Sequence, residues 1–369
     1  MRAQGWGNQT TLRGLTEGWI TLYRLFRPDV VVADYSPTAT LAAHIAKLPY
    51  VLIGNGFELP PATAPLPPFP GFSWATAAQA AASETVVLEH AHAVAHGFRR
   101  TGPASLSELL DPVHALLATF PGCDHYGARA EAQYIGPLLG HLNAPRIAWP
   151  EGPGPRIFAC LRPDTNHVQA ILGGLAACEA RVICVAPGFS SQQLDPFRQA
   201  SVCFSAEPVD LPPLLDADLC VTYGAEATLM TFLLAGVPQL ISPWHVETFM
   251  AARKIEQLGA GVVLRGTPSA PAITSVLNRL TTYSPSTPRA QAFKQRHAGF
   301  HRDTAIAQAV AVIQGEDECT SIPGRWSGVA TSIPTEAVEG AISRTFGTPR
   351  ADTLFREPNV TRGTPAPGH

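Results

Sequence analysis

The chain is poor in charge. Aspartate, glutamate, lysine and arginine make up 15% of its 369 residues, against the roughly 25% usual in soluble domains. The formal net charge is −3 and there is no run of lysine or arginine, so the electrostatic footprint of a nucleic-acid or anionic-membrane binder is missing. A phosphate-bearing ligand then has to be held by peptide dipoles and a few placed donors. No stretch reaches 18 uninterrupted apolar residues, and the opening MRAQGWGNQTTLRG has no apolar core behind its basic end. Neither a spanning helix nor a secretory signal can be read there, and the expectation is a soluble, cytoplasmic protein with no integral membrane segment. The seven cysteines show no CxxC pair and mostly sit in apolar runs. They read as buried, reduced thiols, which leaves the sequons at Asn8 and Asn359 without meaning. A GxGxxG turn is missing too: Gly54-Asn55-Gly56 does not open a helix in that pattern, which weighs against a nicotinamide enzyme.

What the chain does have is 46% hydrophobic residues with Gly 31 and Pro 35, a composition that excludes global disorder and implies many loops. The length suits two domains. Short β-branched runs alternate with helical stretches on either side of a Pro/Gly hinge, the pattern of parallel sheets covered by helices. In the first block, a helix over Leu12 to Leu25 leads to strand Asp29 to Ala33, helix Ala39 to Ala46 and strand Tyr50 to Ile53. Six prolines between Glu58 and Pro70 make an irregular loop long enough to cover a cleft. A helix over 76 to 98 follows, then a short strand or loop around Tyr126 to Gly136.

The second block is denser. Strands are expected at Arg156 to Cys160, Arg181 to Ala186, Ser201 to Ser205, Leu219 to Thr222, Gln239 to Ser242 and Gly261 to Leu264. Helices are expected at His167 to Cys178, Ser191 to Gln199, Glu226 to Ala235, Glu247 to Gln257, Pro271 to Leu280 and Arg289 to Ile313. This is the spacing of a doubly wound sheet, whose ligand lies beyond the carboxyl ends of the strands. The domain plan is 1–145 for a first Rossmann-like unit, 146–155 for a linker, 156–314 for a second unit, and 315–369 for a mostly disordered tail.

The most telling loop runs from strand LCVT through Tyr223-Gly224-Ala225-Glu226-Ala227-Thr228 straight into an apolar helix. Small residues there let a ligand approach the backbone, and the free amides at the helix start form an anion cradle. From this loop alone an ordinary tight turn is an equally good reading. With the stretch PVDLPPLLDADL before it and TYGAEATLMTFLLAGVPQLISPWHVETFMAARKIEQLGAGVVL after it, the sequence resembles the donor domain of the family 1 nucleotide-sugar glycosyltransferases, the macrolide and flavonoid type. Members of that family read roughly HGGxGTxxEAL, then GVPxxxxPxxxDQxxNA, then a GxG end.

The resemblance implies an α/β chain of GT-B fold, two Rossmann-like domains facing across a cleft, the N-terminal one incomplete. It implies donor-binding roles for Tyr223 in place of the family's His, for Gly224, for Ala225 in place of a glycine, and for Thr228 beside the phosphates. Ala227 replaces a further glycine, and Thr231 stands where a Glu usually holds the ribose. Glu247 and Thr248 stand at the Asp-Gln pair that receives the sugar hydroxyls, with the amide lost, and Ala251 stands at the Asn. Ser205 through Val209 occupy the segment whose backbone reads the base, and Arg162 lies on the first loop of the unit, in reach of a phosphate.

In the first block, RPDVVVADYSPTATLAAHIAKLPYVLIGNGFELPP is similar to the family's acceptor domain. Asp34 stands where an Asp orients the catalytic His, and Asn55, Gly56 and Phe57 stand on the acceptor loop. The family's His lies upstream of that Asp, whereas the first histidine here is His44, inside a helix. The expectation is a fragment with a displaced start or a protein without that base. His92 and His96 share a helix face with His90 nearby, but no third ligand is spaced for zinc, and no metal is expected. The implied function is inverting transfer of a hexosyl group from a nucleoside diphosphate sugar, UDP being favoured, to a hydroxyl of a small apolar acceptor. The donor is a substrate and no cofactor is implied. A nucleotide-sugar-binding pseudoenzyme and an epimerase of the same fold are the alternatives, the latter needing cleft carboxylates such as Glu58, Glu226 and Glu247. Oligomeric state is not readable.

Overall fold

A computed structural model describes residues 1, 4–74, 76–110, 115–140, 144–282 and 286–315. Most of the expected tail, with Cys319 and Asn359, lies outside the described residues. So does His141.

The first half opens with α1 (Gln9–Phe26), capped by Asn8, whose Oδ1 accepts from Thr11 N at 2.9 Å. It ends at Arg27 in the left-handed region, directly before Pro28. Next come β1 (Val31–Ala33), α2 (Pro37–Ala46), β2 (Tyr50–Gly54), α3 (Ala77–Gly97), β3 (Ala115–Leu117) and β4 (Gln133–Tyr134). The four strands are parallel, in the order β1-β2-β3-β4. Helices α1, α2 and α3 pack together over Trp6, Leu12, Leu41, Val87 and Ala91.

The second half contains β5 (Arg156–Cys160), α4 (Val168–Ala177), β6 (Arg181–Val185), α5 (Ser191–Leu194), β7 (Val202–Ser205), β8 (Leu219–Thr222), α6 (Glu226–Leu234), β9 (Gln239–Ile241), α7 (Val246–Gln257) and β10 (Gly261–Val263). Its six parallel strands run in the order β10-β9-β8-β5-β6-β7. Strand order therefore reverses between β5 and β8, and a crevice opens at their carboxyl ends. The strands read as apolar runs because both faces are covered: Ile157, Val182, Leu219, Val221 and Leu240 lie in one core cluster with α4 and α8 (Ala270–Thr282).

One expectation is corrected. The single helix Arg289 to Ile313 is two, α9 (Ser286–Arg296) and α10 (Arg302–Gln314), broken at the polar, glycine-containing stretch around Gly299. The second piece does not close the second half. Its small face, with Ala309, packs against Val51, Ile53, Leu116 and Ile135 of the first half. Gly315, left-handed, ends α10. Phe120, from the loop after β3, is buried among Phe293, His297 and Phe300 and joins the α6–α7 core. The carboxyl ends of the first sheet are thereby held against the carboxyl ends of the second.

Candidate functional site

At the β8 exit, Gly224 takes φ +98°, and a Cβ there would lie 3.1 Å from Thr248 Cβ, so only glycine lets this turn pass α7 so closely. Gly224 N donates to Thr222 Oγ1 at 3.1 Å. One amide of the turn is therefore satisfied internally. Helix α6 has no side-chain cap at Ala225, and the amides of its first turn, Glu226 to Thr228, have no acceptor among the described residues. They face the crevice end of β8 as a donor set for an anion. Across the switch point, the Arg162 guanidinium lies 5.6 Å from the Trp244 ring centroid and 3.2 Å from Asp164 Oδ1. Tyr223 is close enough to feel its charge, and burial pushes the Tyr223 phenol up to about 12, so it stays a hydrogen-bond donor.

The opposite wall is built around Asn55. Its Oδ1 accepts from Phe57 N at 2.8 Å and Glu58 N at 3.3 Å, and its own amide N donates to Glu58 Oε2 at 2.7 Å. This Asx turn folds the GNGFE loop back on itself. The remaining donor, Asn55 Nδ2, crosses to Glu226 Oε2 on α6. Four carboxyls from four elements meet here: Asp34 after β1, Glu58 after β2, Glu226 on α6 and Glu247 on α7. Burial, then the charge of Asp34, pushes Glu58 up to about 8, against the Asn55 amide that favours its ionised form. Burial likewise pushes Glu226 up to about 8. Asp34 and Glu247 are raised as well, both chiefly by burial. Carboxyls this close share protons, and at neutral pH the cluster is partly protonated.

Above this cluster stands an aromatic wall. Phe57 stacks on Phe69 with centroids 5.6 Å apart and tilts against Tyr35 and His125 at 6.1 Å each. Phe72 meets Trp74 and, from the other half, Phe249 of α7 at 5.3 Å. The proline-rich loop carrying Phe69 is pinned at both ends of the wall: Leu66 N donates to Glu84 Oε2 at 2.6 Å, and Arg253 Nη1 donates to Pro70 O at 3.4 Å.

The residues expected from sequence thus fall into groups. Arg162, Tyr223, Gly224, Ala225, Thr228 and Glu247 line the crevice end of the second sheet, and Asp34 faces them from the first. Thr248 has a different task from the expected sugar contact. It is 2% exposed, and its Oγ1 accepts from Trp244 N and His245 N and donates to His245 O, capping α7. The Val209 side chain is buried in the core with Phe158 and Leu214, leaving only its backbone for a base. Ser205 Oγ donates to Glu207 O at 2.7 Å. Asn55 acts as the hub of the loop, and Gly56 is small because a Cβ would lie 2.2 Å from Asp124 Oδ1. His90 and His92 each bond a backbone carbonyl, of Trp6 and Pro103. His125 was missed: it is 2% exposed, neither ring nitrogen has a partner among the described residues, and burial brings it down to about 4. It sits in the turn-rich PGCDHYGAR stretch, which carries no periodic signal.

No protein-family model matches the chain. It is 26% identical over 324 residues, covering 80% of this chain and 71% of that protein, to a PGL/p-HBAD biosynthesis rhamnosyltransferase of Mycobacterium bovis (strain BCG / Pasteur 1173P2). A PGL/p-HBAD biosynthesis glycosyltransferase of Mycobacterium tuberculosis (strain ATCC 25177 / H37Ra) is 26% identical over 278 residues, covering 70% and 64%. Among solved structures, the glycosyltransferase of kitacinnamycin superposes with a TM-score of 0.62 at 16% identity, over 83% of this chain and 80% of that one. The glycosyltransferase VinC in complex with dTDP superposes with a TM-score of 0.58 at 16% identity, over 85% and 79%. The fold is GT-B, two Rossmann-like units facing across a cleft, and the class of protein it defines with these relatives is a glycosyltransferase. No helix among the described residues is long and apolar enough to cross a membrane.

Proposed function

We propose that the chain moves a hexosyl group, with inversion, from a pyrimidine nucleoside diphosphate sugar to a hydroxyl of a small apolar acceptor. The observation that carries this reading is the open first turn of α6 at the strand-order reversal, with Arg162 and Tyr223 beside it. Developing charge on a departing diphosphate is stabilised by oriented amides and a guanidinium without any rearrangement during reaction. The sugar would lie toward Glu247, and the acceptor would pack on the Phe57, Phe69 and Phe72 wall, which offers area and shape rather than charge. UDP and dTDP are both of the right chemistry, and dTDP is what the VinC complex holds.

Titration calorimetry with UDP, dTDP, ADP and GDP tests the reading. Binding of UDP or dTDP, weakened about ten- to a hundredfold by Arg162→Ala, is the expected result, the loss of one charge-assisted contact being worth about 1.5–3 kcal/mol. No heat with any of the four sinks it. The carboxyl cluster also favours a second reading, epimerisation of the donor sugar itself. That reaction needs no acceptor, so incubating the protein with UDP-glucose or dTDP-rhamnose alone and resolving the sugars separates the two.

A further inference from the structure

We propose that the acceptor hydroxyl gives its proton to the Glu58 carboxylate, a role that rests on the transferase reading above. Glu58 follows β2 directly, at the first-half edge of the cleft and beneath the aromatic wall that begins at Phe57. Its Oε2 is fixed by Asn55 N at 2.7 Å. Oε1 carries no hydrogen bond among the described residues and is left for a ligand. An acceptor lying on Phe57 and Phe69 brings its hydroxyl to this end of the loop, between Glu58 and the sugar site at Glu247.

His125 touches the wall from behind, but an imidazole held down to about 4 has little hold on a proton. His245 accepts from Thr248 N through Nδ1 and sits on the donor half. Glu226 is engaged by Asn55. The groups facing Glu58 are Asp34 from β1, Glu226 from α6, Glu247 from α7, the Asn55 amide from its own loop, and the Tyr35 phenol. No cation is among them in the described residues. Proton affinity raised to about 8 makes Glu58 a far stronger base than an ordinary carboxylate, near the optimum for neutral-pH proton transfer.

In the step itself, the acceptor O–H bond breaks and its proton passes to Glu58 Oε1. The freed electron pair forms the bond from acceptor oxygen to the sugar's anomeric carbon. The bond from that carbon to the diphosphate breaks, and its pair leaves on the phosphate oxygen at α6. Charge and atoms balance without any further reagent.

Two acceptors separate this role from a structural one. Benzyl alcohol needs its proton removed, whereas 4-nitrophenol at pH 9 is already an anion. With UDP-glucose or dTDP-rhamnose as donor, Glu58→Gln is expected to lower kcat for benzyl alcohol by about 10²–10⁴-fold and to leave transfer to 4-nitrophenolate within about threefold. The side-chain amide oxygen of the Glu58→Gln variant can still accept from Asn55 N, so thermal melting is expected to be unchanged at pH 5. The wild-type kcat for benzyl alcohol is expected to climb toward pH 8 and level off, and Asp34→Asn, which removes the neighbouring charge, should move that rise to lower pH. Equal loss with both acceptors, loss with neither, a pH rise that survives in Glu58→Gln, or a wild type that glycosylates the phenolate and not the alcohol overturns the proposal. A wild type that glycosylates neither overturns the transferase reading itself, and the proposal with it.

Discussion

Glu226 is the first residue of α6, where the helix dipole ordinarily favours a charged carboxyl by about 0.3–1 kcal/mol. Here burial wins. Desolvation moves buried carboxyls by up to 3–5 pKa units, each worth about 1.36 kcal/mol, several times what the dipole supplies. With its pKa at about 8, Glu226 is neutral at pH 7 and adds no negative charge to the phosphate cradle. Above pH 8 it ionises beside the diphosphate. The dissociation constant for UDP or dTDP, followed by calorimetry, is expected to rise about tenfold between pH 7 and pH 9.5, an increment of about 1.4 kcal/mol, and to stay flat in Glu226→Gln. The same group links pH to stability. Its folded pKa lies above its unfolded value, so the native state holds the extra proton, stability is highest below about pH 4.5, and it declines as pH rises through 8. Glu226→Gln should therefore melt roughly 5 °C higher than wild type at pH 8.5 and within about 1 °C of it at pH 5. A variant that gains equally at both pH values counts against a titrating Glu226.

The proline-rich segment between Leu59 and Trp74 has no ladder of its own to hold it, since proline gives no donor. Its position comes from two long side chains on helices, Glu84 of α3 and Arg253 of α7. Gly71, at φ +87°, lies so close under Arg253 that a Cβ would meet the guanidinium. Arg253→Ala should loosen the wall without touching the α6 cradle. The acceptor KM is expected to rise about three- to tenfold, the cost of re-ordering a few side chains, with nucleotide affinity unchanged by calorimetry. Equal loss of both would show that Arg253 serves the whole cleft. The elements themselves were unequally legible. The second half could be read because each strand is covered on both faces, so apolar runs such as RVICV and LCVT stand out between turns. Strands β3 and β4, of three and two residues, are too short to carry a period. The tight turn after β8 and the place of Glu247 at the start of α7 were legible because a turn and the helix it feeds are neighbours in sequence. The Asn55–Glu226 contact joins residues 171 apart, and the crossing of α10 to the first sheet is equally remote. Local pattern holds no record of either.

Across the whole molecule, the two halves are joined firmly on the inner side and left open on the outer side. Phe120, α10 and the Asn55–Glu226 contact tie the halves together around the cleft. At the far edge of the first sheet, β1 pairs only with β2 among the described residues. Beside it Phe26 is 74% exposed, Leu25 71% and Val32 47%. Trp19, Leu22, Tyr23 and Val31 line an apolar groove of about 280 Å³ between α1 and β1. An edge strand next to exposed large apolar side chains is a template for pairing with another chain. Hydrophobic association strengthens with salt, whereas charge pairing weakens, and the low net charge of −3 offers little repulsion between copies. The chain is therefore expected to self-associate at tens of micromolar, with light scattering rising on addition of sodium sulfate. Phe26→Glu places a carboxylate at the centre of the apolar edge and, being on the opposite side of β1 from the cleft, should suppress the scattering while nucleotide affinity stays at the wild-type value. Scattering that persists in Phe26→Glu would move the association to another face, and scattering that falls with added salt would assign it to charge instead of this edge.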